Sequence, residues 1–117
     1  MQYLLMIYSG SSMEEFEQLP PDQQQSVLGE YYAISESPGM LGGNQLQPAE
    51  TATTVRVSGG EALTTDGPFA TTKEVLGGYY LLEADDIDTA LEVAARIPAA
   101  RMGGAIEVRP VVERTGS

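Results

Sequence analysis

The sequence predicts an α+β sandwich, and three observations carry that prediction. Strand-like and helix-like segments alternate in the order β, α, β-hairpin, β, α, β. Each main helical segment has one apolar stripe, which has to be buried against a sheet. No segment repeats and nothing reads as a linker, so residues 1–117 are expected to form one domain with a frayed end from about 113 to 117. Two helices on one face of an antiparallel sheet make the ferredoxin-like arrangement, here with a hairpin inserted.

Each element has its own justification. "QYLLMIY" (residues 2–8) is apolar at successive positions, as a strand buried on both faces or lying mid-sheet would be. Met13, Phe16 and Leu19 suggest a short helical turn after the "SGSS" break. Pro20, Pro21 and Asp22 open a longer helix, because proline is tolerated in the first turn and an acid suits its positive end. Val27, Leu28, Tyr31 and Ile34 fall at helical spacing within it, and Ser37-Pro38-Gly39 stops it. Residues 40–47 are weakly patterned and only suggest a strand.

"TATTVRVS" alternates, with Thr53, Val55 and Val57 on one side and Thr54, Arg56 and Ser58 on the other. Gly59-Gly60 supplies the positive φ angles of a tight hairpin, and "EALTT" returns antiparallel. "GGYYLLEA" (residues 77–84) is a further strong strand. Ile87, Ala90, Leu91, Ala94 and Ile97 then follow helical spacing, with Asp85 or Asp86 as the cap, Arg96 at the negative end and Pro98 as the stop. "GAIEVRPVV" closes the sheet, and Pro110 places it at an edge or a bulge. Because helices cover only one sheet face, packing two bare faces together is expected, as a homodimer about a twofold axis.

Composition narrows the function. The formal charge is −11, and the six cations (Arg56, Lys73, Arg96, Arg101, Arg109, Arg114) are scattered, which disfavours nucleic acid and anionic lipid surfaces as partners. Cysteine and histidine are absent, so thiolate chemistry and the usual near-neutral proton carrier are both excluded. No run reaches the roughly 20 apolar residues of a membrane span. The N-terminal stretch lacks a basic leader, so a cytoplasmic location is expected. No G-x-G-x-x-G or Walker pattern occurs, "ADDID" is accounted for by helix capping, and neither a cofactor nor a metal is expected.

The stretch "TDGPFATTKEVLGGYYLLEADDIDTALEVAARIP" resembles the YCII-related family, in the branch named for a D-G-P-F-A-E-T-K-E motif followed by G-G-Y/F-Y. "YLLMIY", "QPAETATTVRV" and "IEVRPV" are similar to the family pattern in the same order, so the resemblance spans nearly the whole chain. Thr71 stands where that motif commonly has Glu. The resemblance implies a dimeric α+β barrel. Some relatives look like small-molecule enzymes acting on hydroxylated aromatics through a His–Asp pair, which this chain, without histidine, does not carry. Others resemble partners of extracytoplasmic-function sigma factors, implying a non-enzymatic accessory role as the alternative.

Five residues are the site candidates. Asp66 is read either as the first residue of an Asp-Gly-Pro turn or as a pocket carboxylate for acid/base work. Phe69 either packs in the core or a dimer contact or stacks on a ligand. Lys73, the single lysine, and Arg109 are candidates for holding an anionic group of a small-molecule ligand, with a solvated turn and an ion pair as their plainer roles. Tyr79 and Tyr80 point to opposite faces of their strand; one belongs to the core, and Tyr80 is the candidate ligand contact. The pocket is expected near the DGPF turn.

Overall fold

A computed structural model of the chain describes residues 1–69 and 74–114. Its main sheet is four-stranded and antiparallel, built from β1 (Gln2–Tyr8), β2 (Met40–Gln45), β5 (Leu76–Glu83) and β6 (Ala105–Pro110) in the order β2-β5-β1-β6. β3 (Thr53–Ser58) and β4 (Glu61–Asp66) form a separate two-stranded hairpin between β2 and β5. The helices are α1 (Ser12–Glu17), α2 (Pro21–Ser35) and α3 (Ile87–Ala95). This is the ferredoxin-like α+β sandwich with an inserted hairpin. No helix among the described residues is long and apolar enough to cross a membrane.

β1 and β5 hold the two central places, which is why both are apolar on both faces. Register fixes the sides: Leu5 opposes Tyr80 and Val108, and Tyr3 opposes Leu82, so these residues share one face. That face packs against the helices around Leu5, Leu82 and Ile97, each no more than 1% exposed. Burying each such side chain contributes roughly 1.5–3 kcal/mol. β6 is an edge strand, and Pro110 ends it where a missing N–H disrupts no ladder on the outer side.

α3 starts at Asp86, whose carboxylate accepts from the Thr89 backbone N–H at 2.9 Å and from the Thr89 hydroxyl at 2.8 Å. Both bonds hold the Asp86 carboxyl below its usual range. The apolar stripe is rotated from the expected one: Ala90, Val93 and Ala94 are buried, while Ile87 and Leu91 are exposed. Small residues let α3 lie close on the sheet, and the larger Leu91 falls to the flank. α2 likewise buries Val27 and Ile34 but exposes Leu28. The opposite sheet face carries Leu4, Tyr79 and Leu81, all half-buried, and Met6, buried at 9%; none of the four belongs to the core cluster beneath the helices.

The hairpin departs from the compact body. Gly59 and Gly60, at φ +59° and +81°, make the expected two-residue turn. Yet Val55, Val57 and Leu63 are 59%, 71% and 50% exposed, and Thr54 alone of the twelve strand residues is even half-buried. The hairpin therefore stands out as an arm. The radius of gyration is 16.4 Å, against roughly 13 Å for a compact domain of this length.

Candidate ligand-binding site

A cavity of about 390 Å³ opens between the helices and one end of the sheet. Its floor is the end of β1, the end of β2 and the start of β5; its walls are α1 and α2. Ile7, Gly78, Gln45, Gly43 and Tyr80 are brought to the same face by the register. Met13 and Phe16 of α1 and Leu28 and Tyr31 of α2 supply apolar side walls, which explains why Leu28 is not in the core. Ser9, Ser12 and Ser35 add hydroxyls, and Met102 closes the rim. No Asp, Glu, Lys or Arg lines the cavity among the described residues.

Tyr80 links the sheet to the helix. Its hydroxyl donates to the Tyr31 carbonyl at 3.3 Å, in the last turn of α2, where the Ser35 hydroxyl also donates at 3.0 Å. Burial pushes the Tyr80 phenol above its ordinary pKa, opposed by a hydrogen bond from Ser35. Burial raises Tyr31 likewise, opposed by the backbone of Ala99. Both phenols are thus neutral near pH 7, suited to hydrogen bonding rather than to accepting protons.

Gly43 is fixed by this packing. A Cβ there would lie 2.5 Å from the Tyr79 carbonyl oxygen and 2.7 Å from Cδ1 of Tyr80. The Tyr80 ring therefore lies over bare backbone of β2, and the space beside it stays open to the cavity.

The sequence candidates are divided between regions. Tyr79 and Tyr80 both belong to the cavity lining, but their side chains lie on opposite sheet faces: Tyr80 shares the helix-covered face with Leu5, whereas Tyr79 is on the other, its hydroxyl accepting from Asn44 Nδ2 at 3.1 Å. Asp66 is the exposed last residue of β4, paired with Thr53, and is not part of the lining. The base of the arm is closed by the Gly67 N–H to the Ala52 carbonyl at 2.7 Å and by the Thr54 hydroxyl to the Gly67 carbonyl at 2.9 Å. Phe69 is 74% exposed rather than in the core, because the arm stands off the body; the Arg56 guanidinium sits 4.7 Å from its ring centroid. Arg109 lies on the sheet face opposite the helices, 3.8 Å from Glu107. Lys73 lies outside the described residues.

Sequence reasoning missed Tyr31, Ser35, Phe16 and Gln45. Tyr31 and Phe16 were visible only as members of apolar helical stripes, which is also how core residues look. Ser35 and Gln45 carry no local signal.

The body is thus a ferredoxin-like sandwich with a mostly apolar cavity between helix and sheet. The YCII-related domain matches residues 1–115, and the chain belongs to that family. An uncharacterised protein of Rhizobium meliloti (strain 1021) is 44% identical over 68 residues, 57% of this chain and 55% of that protein. The chain therefore spans about half the length of that relative. Among solved structures, the chain is similar to 5-chloro-2-hydroxyhydroquinone dehydrochlorinase (TftG) from Burkholderia phenoliruptrix AC1100, in complex with 2,5-dihydroxybenzoquinone. That match has a TM-score of 0.51 at 14% identity and covers 97% of this chain and 96% of the other. It establishes the shared α+β fold.

Proposed function

We propose that this chain is a cytoplasmic small-molecule-binding protein of the DGPF-motif branch, which holds an uncharged, flat ring bearing hydroxyl or carbonyl groups. The observation that supports this reading is the cavity wall, apolar side chains and backbone with scattered hydroxyls and no formal charge among the described lining residues. An ionised ligand would give up its hydration there without a counter-charge, at a cost of several kcal/mol. A neutral ring instead gains contact with Phe16, Leu28 and the tyrosines, and its oxygens meet the Tyr80 and Ser35 hydroxyls. The dihydroxybenzoquinone held by the structural neighbour is a ring of this general shape. In this reading Asp66 shapes the base of the arm and does no chemistry, and Arg109 belongs to a subunit contact.

A second copy is part of the proposal. Leu4, Tyr79 and Leu81, half-buried around the buried Met6, lie on the sheet face opposite the helices, and a homodimer covers it.

The test is thermal unfolding with hydroquinone, hydroxyhydroquinone and benzoate, on the wild type and on Tyr80→Phe. The two neutral hydroxylated rings should raise the melting temperature by several degrees at saturation, and benzoate should not. Tyr80→Phe should fold, lose about 0.5–1.5 kcal/mol of stability with its hydrogen bond, and respond much less. A shift with benzoate alone, or an undiminished response in Tyr80→Phe, would refute the reading.

A further inference from the structure

We infer that the β3–β4 arm is an intersubunit clasp, whose Val55–Val57 stripe is seated on a second copy of this chain. The inference rests on the homodimer proposed above and adds a surface that the sheet face does not include.

Register separates the two faces of the arm. Val55 opposes Thr64 and Val57 opposes Ala62, so these four residues share one face; Arg56 opposes Leu63 on the other. The Arg56 face has a cover of its own, because Phe69 lies against the guanidinium. The Val55–Val57 face has none among the described residues, with Val55 and Val57 59% and 71% exposed. An isolated two-stranded hairpin is marginal in water at best, so an arm of this kind needs a surface to rest on.

The area available suits a second copy as that surface. The chain exposes 8180 Å², against roughly 6,200 Å² for a compact monomer of its mass. The excess, roughly 2,000 Å², exceeds the ~800 Å² that each partner buries in a standard interface and suits an extensive dimer. Charge agrees. The protein carries −11, which opposes the approach of two copies. The stripe of Val55, Val57, Ala62 and Thr64 is free of charge, with Asp66 only at its base. Like-charged copies can meet there with little repulsion.

The test is light scattering across a dilution series, comparing the wild type with Val55→Asp/Val57→Asp. Neither valine belongs to the buried core, so the variant should keep its circular dichroism spectrum while its dimer dissociation constant rises at least tenfold. Hydrogen exchange adds a reading on the unmodified chain: amides on the outer edges of residues 53–66 should gain protection as concentration rises through the dissociation constant. A wild type monomeric at all concentrations would overturn the dimer and the clasp together. A wild-type dimer that the double variant leaves equally tight, with arm amides indifferent to concentration, would overturn the clasp alone. The ligand response of the cavity is read separately and decides neither outcome.

Discussion

The body and the arm are both antiparallel β-structure of alternating sequence, yet one is held by burial and the other by little beyond its own ladder. In the body, Leu5 and Leu82 are at most 1% exposed beneath the helices. In the arm, Val57, an equally good strand former, is 71% exposed. Strand formation therefore does not measure stability here. Alternation and a Gly-Gly turn suffice to shape a hairpin, but the free energy that keeps a sheet folded comes from what lies on its face. The body draws that from its own helices; the arm, in the clasp proposed above, draws it from a second copy.

The sharpest way to break this contrast is to truncate one leucine in each region. Leu82→Ala removes a fully enclosed side chain from a site with little room to collapse, and should cost about 2–5 kcal/mol. Leu63→Ala, at 50% exposure in the arm, should stay within about 0.5 kcal/mol under conditions where the chain is monomeric. Urea unfolding of both variants at low protein concentration checks this. Equal losses would mean that the arm is packed as tightly as the body.

Much of this division was open to sequence reasoning, and its limits have physical causes. The central place of "QYLLMIY", the tight turn at Gly59-Gly60, the cap at Asp86 and the edge position of Pro110 all follow from local rules, and all hold. The order of elements led directly to the fold. The cavity was not legible, because its wall gathers residues from Ile7 to Met102 that no spacing rule connects. The motif around Asp66 drew notice because its residues adjoin in sequence, whereas the structure puts Asp66 and Phe69 outside the lining. Tyr80 was reachable because strand alternation forces one of two adjacent tyrosines inward. Leu28 and Leu91 show a further limit: a helical stripe broad enough to face two ways does not say which flank touches the sheet.

A smaller effect sharpens the comparison within β2, whose two adjacent glycines face opposite sides. Gly43→Ala places a methyl against the Tyr79 carbonyl and the Tyr80 ring, and a backbone oxygen yields only if the strands shift. The expected loss is about 1–3 kcal/mol, with weakened ligand response because Tyr80 is displaced. A Cβ at Gly42 meets nothing within 4 Å, so Gly42→Ala should be nearly neutral. Paired melting curves decide it. Equal losses at the two positions would show that β2 responds to lost backbone freedom and not to the packing of Tyr80.

The smallest effect concerns the end of one helix and is read through pH. The Asp86 carboxylate is held below its ordinary pKa by the Thr89 backbone N–H and, secondly, by the Thr89 hydroxyl. A depressed carboxylate adds stability above its unfolded pKa, and that contribution is lost as pH falls through the folded value. Asp86→Ala should therefore melt a few degrees below the wild type near neutral pH. The two curves should converge as the pH drops below roughly 4, where the unfolded carboxyl takes up its proton. A gap that persists unchanged in strong acid would mean that the substitution acts through helix propensity or packing rather than through the charged cap.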